Sequence, residues 1–168
     1  TESIENSAEQ RQGSVLLKDS DDLSRALVEG IDGDVRLDSL TRRLYATDAS
    51  IYEIEPVGVV LPRSTKDVIH AVRVAGERGL SLLPRGGATS LAGQTVGQSL
   101  HLDFSRYMNR ILEIDVPGRT ARVEPGVILD ELNAALAPSG LMFGPDVSTS
   151  SRANLGGMIG NNSCGAHS

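Results

Sequence analysis

The sequence predicts an α+β fold: a small parallel βαβ unit followed by an antiparallel-sheet unit. Two observations carry this. Between residues 57 and 83 an apolar run, an amphipathic helix and a second apolar run follow one another, with a crossover long enough for parallel pairing. Beyond residue 100 the pattern changes to short alternating segments separated by turn residues, which suits antiparallel pairing.

Taken in order, residues 1–18 are rich in Glu, Ser and Gln without periodicity and read as a disordered tail. Residues 19–55 form an N-terminal extension. In it Asp21 and Asp22 lead into a helix carrying Leu23, Ala26 and Leu27 that stops near Gly30. Val35 to Leu37 is a short strand, Ser39 to Ala46 a helical turn, and Tyr45 and Tyr52 are packing anchors of an irregular connection. Residues 56–97 hold the βαβ unit. Val57 to Leu61 reads as a buried strand ended by Pro62. Ser64 and Asp67 form a capping pair, although Asp is shorter than the preferred Glu or Gln. The helix then runs to about Arg78, with Val68, Val72 and Ala75 as its apolar stripe, Ile69 beside it, and Lys66, His70, Arg73 and Glu77 on the solvated face. Gly79 ends it, and Ser81 to Leu83 is the second strand.

Residues 98–168 hold the second unit. Leu100 to Phe104 alternates, so one face is buried, and His101 and Asp103 share a surface or interlayer face. Ile111 to Val116 and Thr120 to Glu124 are strands around Pro117-Gly118, a pair suited to a type II turn. Val127 to Ala137 is a helix with Ile128, Leu129, Leu132, Ala135 and Leu136 inward, ended by Pro138 and Gly140. From Phe143 onward the chain reads as irregular.

Composition narrows the function. With 16 Lys plus Arg against 22 Asp plus Glu, the net charge of −6 argues against general nucleic-acid binding. Three Tyr, two Phe and no Trp supply few platforms for stacking bases. No run approaches the ~20 apolar residues of a membrane helix. One cysteine excludes a disulfide framework or a Cys-rich metal site within this stretch. Cys164 lacks an evident activating cation and reads as inert, and His70, His101 and His167 are too dispersed for a metal site.

Glycine is in excess: 18 residues, where average usage gives roughly 12. Eight of them fall in two clusters: Gly86, Gly87, Gly93 and Gly97, then Gly156, Gly157, Gly160 and Gly165. The first cluster directly follows a strand. Successive N–H groups without Cβ obstruction converge on an anion, Thr89 and Ser90 add hydroxyls, and Arg85 adds charge, which together suit a pyrophosphate. It is neither a Walker A loop nor a dinucleotide-binding G-x-G-x-x-G fingerprint. From composition alone, a flexible surface connection with Arg85 in an ordinary salt bridge is an equal reading. The second cluster offers hydroxyls, amides and small residues, suited to a large, planar, partly polar ligand; an unstructured end is its alternative.

Six segments together are more specific: Asp48-Ala-Ser-Ile-Tyr52, Pro56-Val-Gly-Val-Val-Leu-Pro62, Pro84-Arg-Gly-Gly-Ala-Thr-Ser-Leu-Ala-Gly-Gln94, Val123-Glu-Pro-Gly126, Phe143-Gly-Pro-Asp146 and Leu155-Gly-Gly-Met-Ile-Gly-Asn-Asn-Ser163. In this order they resemble the PCMH-type FAD-binding domain of the vanillyl-alcohol oxidase superfamily, in its D-lactate dehydrogenase and glycolate oxidase subunit branch. The resemblance implies that Arg85, Gly86, Gly87, Ala88, Thr89 and Ser90 cradle the pyrophosphate of FAD, with Gly93 and Gln94 close by. It places Pro145 and Asp146 beside the flavin, Ser151, Asn154, Gly156 and Gly157 in a second contact loop, and Gly160 and Asn161 at its flank. Where some relatives carry a His that binds FAD covalently, this chain has Ala88, so FAD is expected to be non-covalent.

The implied function is anchoring FAD in an enzyme that oxidises a small 2-hydroxy acid of the D-lactate or D-2-hydroxyglutarate type by hydride transfer to FAD, with an acceptor other than NAD. A non-redox nucleotide or sugar-nucleotide module is the alternative. The resemblance also implies that the antiparallel unit continues, and that the substrate cap and catalytic base lie beyond this chain. Its ending resembles the branch fused to an iron–sulfur region, which would put any such cluster outside this stretch. The expected location is cytoplasmic, or peripheral to the inner membrane through the electron acceptor.

Overall fold

The computed structural model describes residues 21–165; the expected tail and His167 lie outside them. Helix α1 occupies residues 21–28. It is followed by β1 (Asp34–Arg36), α2 (Ser39–Leu44), β2 (Gly58–Leu61), α3 (Thr65–Glu77), β3 (Leu82–Arg85) and β4 (Leu100–Asp103). The chain then forms the hairpin β5 (Ile111–Asp115) and β6 (Thr120–Val123), α4 (Leu129–Leu136) with a 3₁₀ turn after it, and α5 (Leu155–Gly160).

The first sheet has the order β1-β2-β4-β3. β2 and β3 are parallel, as the crossover through α3 demands, but they are not neighbours: β4 lies between them and pairs in parallel with both. The strand expected to open the second unit is therefore hydrogen-bonded into the first sheet. It is buried along its whole length rather than on one face. His101 and Asp103 thus become interlayer groups, and the alternation in Leu100-His-Leu-Asp103 marks two packed layers. Because β3 and β4 are parallel and consecutive, the glycine-rich residues 86–99 must carry the chain back along the sheet.

α3 keeps Val68 and Ala75 of its expected stripe inward but is rotated enough to turn Val72 outward. Its buried residues are Asp67, Ala71, Val74 and Ala75, while Ile69 is 64% and Val72 48% exposed. Asp67 explains the rotation. Its carboxylate accepts N–H groups from Gly33 at 3.0 Å and Arg63 at 2.9 Å and the Ser64 hydroxyl at 2.9 Å, so it turns inward. The small Ala71 and Ala75 then face the sheet. The Ser64–Asp67 pair caps the helix as expected, with Ser64 Oγ accepting the Asp67 N–H at 3.3 Å. His70 is not simply solvated: its ring bonds the Ala26 carbonyl at 2.7 Å and packs where Gly30 leaves no side chain.

Two apolar clusters result. One joins α1, β2, α3 and β4 through Leu27, Val60, Val74 and Leu100. The other joins α4 and α5 through Leu129, Leu132, Leu155 and Met158. In the β5–β6 hairpin the left-handed residue is Arg119, at φ 53°, and not Gly118, so the turn is not type II. α4 starts later than expected, because Val127 and Ile128 are drawn into an extended contact: Leu155 N donates to Val127 O at 2.8 Å, and Ile128 bridges Asn154. α5 was expected to be irregular given its three glycines. It is held in place by burying Leu155 and Met158, one turn apart.

Candidate functional site

β3 ends at Arg85, and the chain there enters the first glycine loop. Among the described residues, the backbone N–H groups of Gly86, Gly87, Ala88, Thr89 and Ser90 have no protein acceptor. Ala88 sits in the left-handed region at φ 52°, a conformation found in backbone nests that bind anions. The opposite side of the loop is fixed, since the Ala88 carbonyl accepts the Ala49 N–H at 3.1 Å. A row of uncommitted donors is thus held on a pinned backbone.

The first glycine loop meets the turn at Arg152 to Asn154 that leads into α5. A Cβ on Gly86 would stand 2.5 Å from Asn154 Oδ1, and one on Gly87 would collide with the Arg152 carbonyl oxygen. Gln94 Nε2 donates to Asn161 Oδ1 at 2.6 Å. Gly93, at φ 75°, packs against the Tyr52 ring. Gly156 lies against Pro125. Gly157 and Gly160 have nothing within 4 Å of a notional Cβ and leave the exposed face of α5 uncovered. Asn154 is 5% exposed. It donates from Nδ2 to the Gly126 carbonyl at 2.6 Å, yet its Oδ1 is buried without a partner beside Gly86. Ser151 is exposed on the turn just before it. The Asp146 carbonyl lies against Gly165, and Pro145 beside it is half-buried.

Two residues do other work than expected. The Arg85 side chain is 8% exposed and donates to the carbonyls of Tyr45 (3.0 Å), Thr47 (2.7 Å) and Thr95 (2.7 Å). Its charge is inside, not on offer to an anion. Ser90 Oγ bonds Gln94 Oε1 and accepts the Ala92 N–H at 3.2 Å, so its hydroxyl shapes the turn. Thr89 remains half-buried at the loop surface.

Below the loop lies a polar layer that the sequence signals only through Asp48 and Ser50, two residues apart. Asp48 accepts from Ser50 N at 2.8 Å and Thr95 Oγ1 at 2.9 Å. Burial pushes this carboxyl up, but those hydrogen bonds outweigh it and hold it below its ordinary value. The Tyr45 hydroxyl donates to Asp103 at 2.6 Å; burial first, then Asp103, raises its pKa. Burial lowers the Arg85 pKa, opposed by negative charge on Asp103 and Asp48. His101 is pushed down to about 4 by burial, against a hydrogen bond to the Gly97 carbonyl at 3.2 Å. Its Nδ1 has no partner.

A separate, mainly apolar groove of about 570 Å³ lies between β6, α4 and α5, lined by Leu132, Leu136, Phe143 and Leu155 among others; no residue of the first loop lines it. Among the described residues no group of His, Cys, Asp and Glu could hold a metal ion, and no helix is long and apolar enough to cross a membrane.

A mixed sheet whose glycine loop presents a row of free N–H groups, backed by the turn at Arg152 to Asn154, defines a nucleotide-anchoring α+β module. Residues 56–168 match the family model described as FAD binding domain, and the chain belongs to that family. It is 48% identical over 140 residues to D-2-hydroxyglutarate dehydrogenase of Pantoea ananatis, covering 82% of this chain and 14% of that protein. It is 37% identical over 127 residues to the glycolate oxidase subunit GlcD of Bacillus subtilis, covering 74% of this chain and 27% of that protein. Among solved structures, alkyldihydroxyacetonephosphate synthase superposes with a TM-score of 0.69 at 25% identity, over 78% of this chain and 29% of that one. The chain thus spans a minor part of each.

The residues present fit FAD. A pyrophosphate needs several converging donors and close backbone approach. The free N–H row of Gly86 to Ser90 would supply such donors.

Proposed function

We propose that this chain anchors FAD in an oxidoreductase that oxidises a 2-hydroxy acid of the D-2-hydroxyglutarate or D-lactate type. The observation that carries it is the run of uncommitted N–H groups from Gly86 to Ser90, fixed against the turn at Arg152 to Asn154. The names of the relatives at 48% and 37% identity support the substrate class. When bound, FAD supplies the ring that accepts a hydride from the substrate carbon.

In this reading Gly86, Gly87, Ala88, Thr89 and Ser90 hold the pyrophosphate through backbone N–H groups. Gly93 and Gln94 shape the far end of the loop. Ser151, Asn154, Gly156 and Gly157 form the second contact loop, flanked by Gly160 and Asn161, and Pro145 and Asp146 run beside the ring. Arg85 contributes from behind the loop. FAD is held non-covalently, since Ala88 offers no nucleophile. The substrate is a small 2-hydroxy acid, and no residue of this chain is assigned to acid–base chemistry. The protein acts where its electron acceptor reaches it, in the cytoplasm or peripheral to the inner membrane.

A non-redox nucleotide module would use the same donors but would not pass electrons. The test is anaerobic addition of D-2-hydroxyglutarate, D-lactate or glycolate to the whole protein carrying this chain, followed by an artificial dye. Bleaching of the flavin absorbance by one of them, then dye reduction, is expected. A flavin that none of the three reduces would remove this substrate class.

A further inference from the structure

We propose that Arg85 is a positioning residue that clasps the pyrophosphate loop from behind. Its Nη1 bonds the Thr95 carbonyl at 2.7 Å and the Tyr45 carbonyl at 3.0 Å, and its Nη2 bonds the Thr47 carbonyl at 2.7 Å. One side chain therefore joins both ends of the loop, residues 85 and 95, and ties them to a third segment. The platform beneath is itself braced. The Tyr45 ring lies under the guanidinium, 5.0 Å away, and the Tyr45 hydroxyl bonds Asp103 on the central strand at 2.6 Å. Asp48 holds Thr95 from the other side through both its N–H and its hydroxyl.

The consequence is preorganisation. The free N–H groups of Gly86 to Ser90 converge only while the loop keeps one shape, and a glycine-rich loop loses that shape readily. A planar guanidinium with donors in fixed directions suits three carbonyls at once; the ammonium of lysine does not. The role is therefore geometric rather than a direct charge–phosphate contact. It rests on the FAD reading above and adds a residue that acts through the loop.

The test uses the whole protein, stripped of flavin, with three readouts: FAD affinity by fluorescence titration, hydrogen exchange by peptide, and thermal unfolding. Wild type is measured first. If it takes up no FAD, the functional reading fails and this inference falls with it. If it does bind, Arg85→Lys is expected to weaken FAD by at least about tenfold, the loss of roughly one charge-assisted hydrogen bond. Faster exchange should be confined to peptides covering residues 45–48 and 85–96, and Arg85→Met should exceed it. Tyr45→Phe, which removes only the brace, should weaken FAD less. FAD affinity within twofold of wild type in Arg85→Lys overturns the proposal. So does faster exchange spread evenly over the β2 and β4 peptides, or loss of folding in both Arg85 variants, since either makes the residue a general structural one.

Discussion

The backbone of Gly87 lies so close to the carbonyl of Arg152 that any Cβ there would collide with it. Residues 65 positions apart in sequence thereby form one surface, with Gly86 against Asn154 as the neighbouring contact. The glycines of the first loop serve the meeting of two protein segments as much as the approach of a ligand.

Gly87→Ala should therefore separate the loops. A backbone carbonyl cannot swing aside as a flexible side chain does, so the first loop must move. We expect FAD affinity to fall about tenfold or more, with the far-ultraviolet circular dichroism unchanged. Titration of the flavin-free protein checks this, and wild-type affinity would count against the loop contact.

Asn154→Ala removes the donor to the Gly126 carbonyl. A stranded buried acceptor costs about 1–3 kcal/mol. The substitution also removes the unpartnered Oδ1, so the melting temperature of the flavin-free protein should fall by less than the equivalent of that full cost.

Asp67 organises the start of α3 and the turn at Gly33. Burial pushes its carboxyl up, but the hydrogen bonds from Arg63, Ser64 and Gly33 win and hold it below 3.8. Its ionised form therefore stabilises the fold fully above the unfolded value. That contribution fades as the pH falls through the lower folded value. Asp67→Ala should cost about 2–4 kcal/mol near neutrality, from two unpaired backbone donors, and the deficit should shrink in strong acid. Chemical denaturation against pH measures both.

His101 makes the opposite kind of demand, because it must stay neutral. Burial holds it near 4, against 6.5 when free. Between those values the unfolded chain takes up a proton that the folded one refuses. Stability is complete above about 6.5 and declines toward 4, by at most about 1.4 kcal/mol per pH unit for one proton. His101→Gln should flatten that slope in an unfolding series across the window; an unchanged slope would assign it elsewhere.

The legible parts of this molecule were those with local causes. The Ser64 cap, the strands at 57–61 and 81–83 and the two glycine clusters each announce themselves within a few residues. What the sequence hid was non-local. Nothing around Leu100 says that β4 inserts between β2 and β3, because only the finished sheet supplies both its neighbours. Nothing near Val68 says that Asp67 turns inward, because its partners Gly33 and Arg63 become neighbours only on folding. Arg85 reads as an anion ligand beside glycines, and only the carbonyls of Tyr45, Thr47 and Thr95 show where its donors point. α5 was masked by glycines whose helix propensity argues against it.

In the proposed function, the first glycine loop and the turn at Arg152 to Asn154 facing it hold FAD without a covalent bond. The most direct measurement is the absorption spectrum of the purified whole protein, followed by acid precipitation and identification of the released flavin. A flavin spectrum, with FAD in the supernatant at about one per chain, is expected. A colourless protein that takes up no added FAD, or a flavin that stays with the precipitate, would contradict it.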